Sequence, residues 1–137
     1  MLPELADLLD GFELYAERHA ERHAERQGLA PTRNESAIAA ALREAVDLAQ
    51  GSERDEPAAI FYALARRPRA FGALHGEMLL LLTLEQAHAV GLDLTFQPIA
   101  LQIHRLRIVR GQMLFPELRD WFAARLRPIG RRSWPLK

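Results

Sequence analysis

Cysteine is absent from the 137 residues, so no disulfide, thiolate metal site or cysteine nucleophile is available. Serine and threonine are scarce, limited to Ser36, Ser52, Ser133, Thr32, Thr83 and Thr95. None has an evident base beside it in the sequence, which leaves a serine-hydrolase reading without support. Long apolar runs are missing too. Runs such as Met78 to Leu82 are far short of the roughly 20 residues a membrane span needs. The acidic start, Met1 to Asp7, has no basic n-region and no apolar h-region, so no signal peptide is expected. The expectation is a soluble cytoplasmic protein. No phosphate-binding G-x-x-x-x-G-K loop, G-x-G-x-x-G turn, H-E-x-x-H helix or G-x-S-x-G elbow occurs.

What is present is an ordinary globular composition, with 49% hydrophobic and 26% charged residues. A chain of this length makes one domain and buries roughly two-thirds of its unfolded surface. Formal net charge is zero, but unevenly spread. Residues 1–60 carry thirteen acids and six arginines, whereas residues 101–137 carry nine basic residues and two acids. The simplest account is that the two halves face each other, within one chain or between two copies. The alternative is a basic surface for a polyanion.

The apolar spacing predicts an all-α fold of six helices. Leu5, Leu8, Leu9, Phe12 and Tyr15 mark an N-terminal amphipathic helix over residues 1–27, which runs through a repeated Ala-Glu-Arg-His and stops at Gln27-Gly28. The second helix begins near Thr32 or Asn34, both suitable N-caps, carries Ile38, Ala41, Leu42, Ala45 and Leu48, and closes at Gln50-Gly51. The third has Pro57 in its first turn and stops at Arg67-Pro68. A loop over residues 69–76 feeds a fourth helix, about Glu77 to Val90, which is apolar nearly all round at its start and is expected to be the central one. Leu92 to Phe96 is a short connection. The fifth helix, about Pro98 to Arg110, is expected to bury Ile99, Ile103, Leu106 and Val109. The sixth, from Pro116, is expected to bury Leu118, Trp121, Phe122 and Leu126. Residues 28–127 form the core of the domain, and residues 128–137 a basic, irregular tail.

Three groups of residues suggest chemistry. His19 and His23 fall about 20° either side of the line of Phe12 at about 100° per residue. Two histidines at that spacing can share a metal, but the simpler account is a tandem duplication in a helix whose apolar face is running out. Arg66, Arg67 and Arg69 cluster where a helix ends, which suits the helix dipole. Arg125, Arg127, Arg131 and Arg132 lie near Trp121 and Trp134, a combination that can serve nucleic acid. No recognisable nucleic-acid motif accompanies them, and nucleic acid is not the expected partner.

The order of these segments is similar to that of a known family. Arg33 with Glu35 to Leu42 resembles the R-D-x-G-L-L-E-S-A-L segment of the death-on-curing (Doc) branch of the Fic family. Ala58 to Arg67 resembles the helix leading into that family's signature. Leu79 through Gly91 to Leu94 is similar to the helix after it, which ends in N-G-L-x-L. Ile108 to Phe122 resembles the closing A-x-G-x-L-x-x-x-E-L-x-x-W-L. The resemblance spans residues 28–127 and implies an all-α domain around a central helix. Aligned without gaps, the family's catalytic loop, H-P-F-x-D-G-N-K-R, falls on Arg69 to Glu77. Only Phe71 matches. Arg69 stands at the catalytic histidine, Ala73 at the metal-binding acid, Leu74 and His75 at the glycine and asparagine of the anion hole, and Glu77 at the phosphate-gripping arginine.

Transfer of an adenylyl or phosphoryl group to a hydroxyl needs a base, a metal ligand and cations on the moving charge. Arg69 stays protonated, Ala73 holds no metal, and Glu77 repels phosphate. The expectation is therefore a Doc/Fic-like protein that has lost transfer activity and works by binding, in a toxin–antitoxin-like or regulatory setting, with no catalytic residue assigned. Its partner is expected to be an antitoxin-like protein or peptide, or a second copy. A loop of small residues before a helix N-terminus still favours an anion, so ATP or another phosphate is expected at Arg66, Arg67, Arg69, Gly72, His75 and Gly76. Two alternatives stand beside this reading. One is an active Fic-type transferase using non-standard residues. The other is an unrelated helical bundle with a metal at His19 and His23.

Overall fold

The computed structural model describes residues 2–14 and 34–129. Among them six helices surround one core, with a small two-stranded pairing at one edge. Residues 5–14 form helix α1. Helices α2 (Glu35–Ala49), α3 (Glu56–Ala65) and α4 (His75–Ala89) follow, then strand β1 (Leu92–Leu94), helices α5 (Pro98–Val109) and α6 (Phe115–Ala123), and strand β2 (Leu126–Pro128). The sequence expectations at Tyr15 to Arg33, including His19, His23 and Thr32, lie outside the described residues, as does the tail from residue 130.

Local chemistry explains the boundaries. Asn34 caps α2, its side-chain oxygen accepting the Ala37 N–H at 3.0 Å. The helix closes where Gln50 and Gly51 both take positive φ, at 49° and 80°. Pro57, Pro98 and Pro116 sit in the first turns of α3, α5 and α6, where no intrahelical donor is needed.

The central helix is α3, not the fourth helix as the run of leucines suggested. All ten residues of α3 are buried. Ala58, Ala59, Ala63 and Ala65 let α2, α4, α5 and α6 approach it closely. In α4 the buried residues are His75, Met78, Leu79, Leu82, Thr83, Gln86 and Ala87, while Glu77, Glu85 and His88 face solvent. Rings close the core. Phe61 of α3 meets Phe122 of α6 at 5.8 Å between centroids, and Phe12 of α1 meets Phe71 at 5.1 Å. One buried polar pair crosses it, the Gln86 amide donating to the Glu56 carboxylate at 2.7 Å.

Two sequence expectations are corrected here. Leu92 to Leu94 is not a plain connection. It pairs antiparallel with Leu126 to Pro128, Leu94 opposite Leu126, and the Ile129 N–H donates to Gly91 O at 3.0 Å. Three residues are too few for period-2 alternation to be read from the sequence, and the ordered core therefore continues past residue 127. The second correction concerns α5. Its inner side carries Leu101 and Ile108, whereas Ile99, Ile103, Leu106 and Val109 are exposed. The helix is apolar on two faces, so periodicity alone selects no unique buried side. No helix among the described residues is long and apolar enough to cross a membrane.

Candidate functional site

The loop between α3 and α4 folds as a chain of tight turns. The N–H groups of Ala70, Gly72 and Leu74 bond to the carbonyls of Arg67, Arg69 and Phe71, and the His75 N–H bonds to Gly72 O. Gly72 takes φ 56°, which a glycine accepts without strain. Amides that an anion could use in an open loop are thus largely engaged within the turn itself.

A cleft of about 510 Å³ opens between this loop and α5. Phe61, Leu79, Leu80 and Leu101 make its apolar lining, and Pro68 and Pro98 stand at the segments that border it. Its polar groups are His75, Glu77, Gln102 and Arg105, with Gly72 and Gly76 between them. The Arg105 guanidinium lies against Gly76: a Cβ on that glycine would sit 3.9 Å from Arg105 Cζ. Arg105 Nε donates to Gln102 Oε1 at 2.8 Å, which leaves its terminal nitrogens beyond that bond.

His75 is a brace. Its Nε2 lies 3.0 Å from the Leu64 carbonyl. A carbonyl only accepts, so Nε2 carries the proton and donates, tying α4 to the end of α3. The ring lies against Phe71, 6.1 Å between centroids. Burial pushes its pKa below the usual histidine value, the Leu64 bond opposes that, and Arg105 adds to the lowering. His75 is therefore neutral near pH 7. Its Nδ1 is buried and has no partner among the described residues.

Of the residues expected to hold an anion, Gly72, His75 and Gly76 line this cleft and the arginines do not. Arg66 and Arg67 both turn to Glu44 on α2, Arg67 Nη1 at 2.6 Å, and Arg67 also donates to Ala63 O at 2.8 Å. A carboxylate from a neighbouring helix captures them, a contact that linear sequence does not reveal. Arg69 is exposed outside the cleft. In their place stands Arg105, with Gln102, from a helix about thirty residues further on. The available signal was the stretch Thr95 to Pro116, which holds three arginines and no acid.

The other basic–aromatic group is largely intramolecular. The Arg125 guanidinium lies 4.2 Å over the Trp121 ring and donates to Trp121 O at 3.1 Å, and Arg127 donates to Ala124 O and Leu126 O. His104 meets the edge of Trp121 at 4.6 Å. Arg131, Arg132 and Trp134 lie outside the described residues. Among the described residues no group of three or more histidines and carboxylates is spaced to hold a metal. Comparison with protein-family models, with curated proteins and with solved structures finds no match to this chain.

Proposed function

We propose that this protein is a Doc/Fic-like helical protein that works by binding rather than by group transfer, and that the cleft beside α4 receives a small anionic ligand. The observation that carries the reading is Arg105: a guanidinium against Gly76 in the first turn of α4, in a partly apolar cleft at the segment where the family-like loop falls. Around it the chain supplies Arg69, Ala73 and Glu77 where transfer would call for a base, a metal-binding acid and a phosphate cation.

Glu77 shares the cleft with Arg105. One cation beside one carboxylate favours a ligand with a single phosphate or carboxylate and an apolar body over a polyphosphate. A protein or peptide partner in a toxin–antitoxin-like or regulatory setting fits the same reading.

Calorimetric titration tests it, with a nucleoside monophosphate, ATP with and without magnesium, and inorganic phosphate. The expected result is saturable binding of the monophosphate, weakened at least about tenfold in Arg105→Ala, since loss of a charge-assisted contact costs about 1.5–3 kcal/mol. Unchanged affinity in Arg105→Ala would place the ligand elsewhere. Transfer of label from ATP to a protein would favour an active transferase instead.

A further inference from the structure

We propose that the outward face of α5 is a docking surface for an acidic amphipathic helix of a partner protein. This surface meets the cleft only at Gln102 and does not depend on the reading given to it. Ile99, Ile103, Leu106 and Val109 are 62%, 49%, 44% and 46% exposed. Their spacing of four, three and three residues lays them in one band along a helix about 18 Å long. Inward-facing Leu101 and Ile108 already anchor α5 to the core, so this band is not needed for folding. Apolar positions at such spacing are what a helix-in-groove partner reads.

Charge decides among the occupants. From Thr95 to Pro116 the chain has no carboxylate. Gln102, Arg107 and Arg110 flank the band; Arg107 is held by Glu117 at 3.1 Å, and Arg110 has no ion pair among the described residues. A second copy pairing α5 against α5 would set Arg110 against a segment equally devoid of acids, leaving it unmatched. The chain's own tail, with Arg131, Arg132 and Lys137 and no acid, has the same sign. A bilayer surface is drawn to clusters of uncommitted cations; here Arg105 lines the cleft and Arg107 is paired with Glu117, which leaves Arg110 alone along the band. A helix with an apolar stripe and carboxylates beside it satisfies both the band and its flanks.

The test is selection of the full-length protein against a displayed library of helical peptides of about 16 residues. Leucine is fixed along one face, and the flanking positions vary among Asp, Glu, Lys, Arg and Ser. Enrichment of Asp and Glu at the flanks is expected. A synthesised winner should then bind in fluorescence anisotropy and lose at least about tenfold in affinity with Leu106→Asp and with Arg110→Glu. Basic, neutral or no enrichment overturns the proposal, as does binding indifferent to Leu106→Asp. Two further outcomes also overturn it: a dimer in sedimentation velocity that Leu106→Asp dissociates, and flotation of the protein with phosphatidylserine–phosphatidylcholine vesicles that Leu106→Asp abolishes. Thermal melts of both variants show whether each is folded.

Discussion

Replacing His75 by glutamine separates its bracing role from its titration. The native ring is 4% exposed, donates to Leu64 O, and is held neutral by burial. In the unfolded chain the same group takes a proton near its ordinary value of about 6.5. Because the folded pKa is lowered, its contribution to stability is present above the unfolded value and is lost as pH falls below it. Each such histidine steepens the fall by at most about 1.4 kcal/mol per pH unit. His104, lowered by burial and then by Arg107 and Arg125, acts in the same direction, so the pair contributes at most about twice that slope. Glutamine can still donate to Leu64 O but does not titrate. Urea unfolding at about pH 7.5, 6.5 and 5.5 measures the effect. His75→Gln should cost about 0.5–1.5 kcal/mol at the highest pH and show a shallower decline than the parent. His75→Phe removes the bond altogether, while Leu64 O still accepts the Arg67 N–H, and should cost about 0.5–1.5 kcal/mol. Parallel pH profiles for the parent and His75→Gln would refute the claim that a buried neutral His75 contributes to acid sensitivity.

Three further outcomes follow from the packing. Ala63→Leu, at a fully buried position of α3, should destabilise by about 1–3 kcal/mol through overpacking, read as a lower urea midpoint. Asn34→Ala should cost about 0.5–2 kcal/mol by removing the cap of α2, read by thermal unfolding. The two sides of α5 should respond oppositely in urea unfolding. Leu101→Ala should lose about 2–5 kcal/mol, whereas Ile103→Lys should stay within about 0.5 kcal/mol of the parent.

Much of the helical layout was legible from periodicity and punctuation. The α2 stripe of Ile38, Ala41, Leu42 and Ala45 is buried, and Gln50-Gly51 closes that helix. Those features are local: a cap, a positive φ or a proline acts within one turn of where it stands. The arrangement of helices in space was not local. The centre of the core lies on α3 because its alanines allow close approach from several sides, although α4 carries the run of leucines. The exposed band on α5 and the buried Leu101–Ile108 side look equally apolar in sequence, and only packing against the rest of the molecule separates them.

The same division holds for the site. The sequence by itself determined the chemical natures of Arg69, Ala73 and Glu77, which hold wherever they sit. It also placed Gly72 between two helices, whereas His75 and Gly76, expected in the same loop, open α4 itself. The tertiary structure alone decided which cation reaches the cleft. Glu44 draws Arg66 and Arg67 toward α2, and α5 folds back to bring in Arg105. Ion pairing and cleft formation depend on distances between residues far apart along the chain, and those distances exist only once the helices have packed.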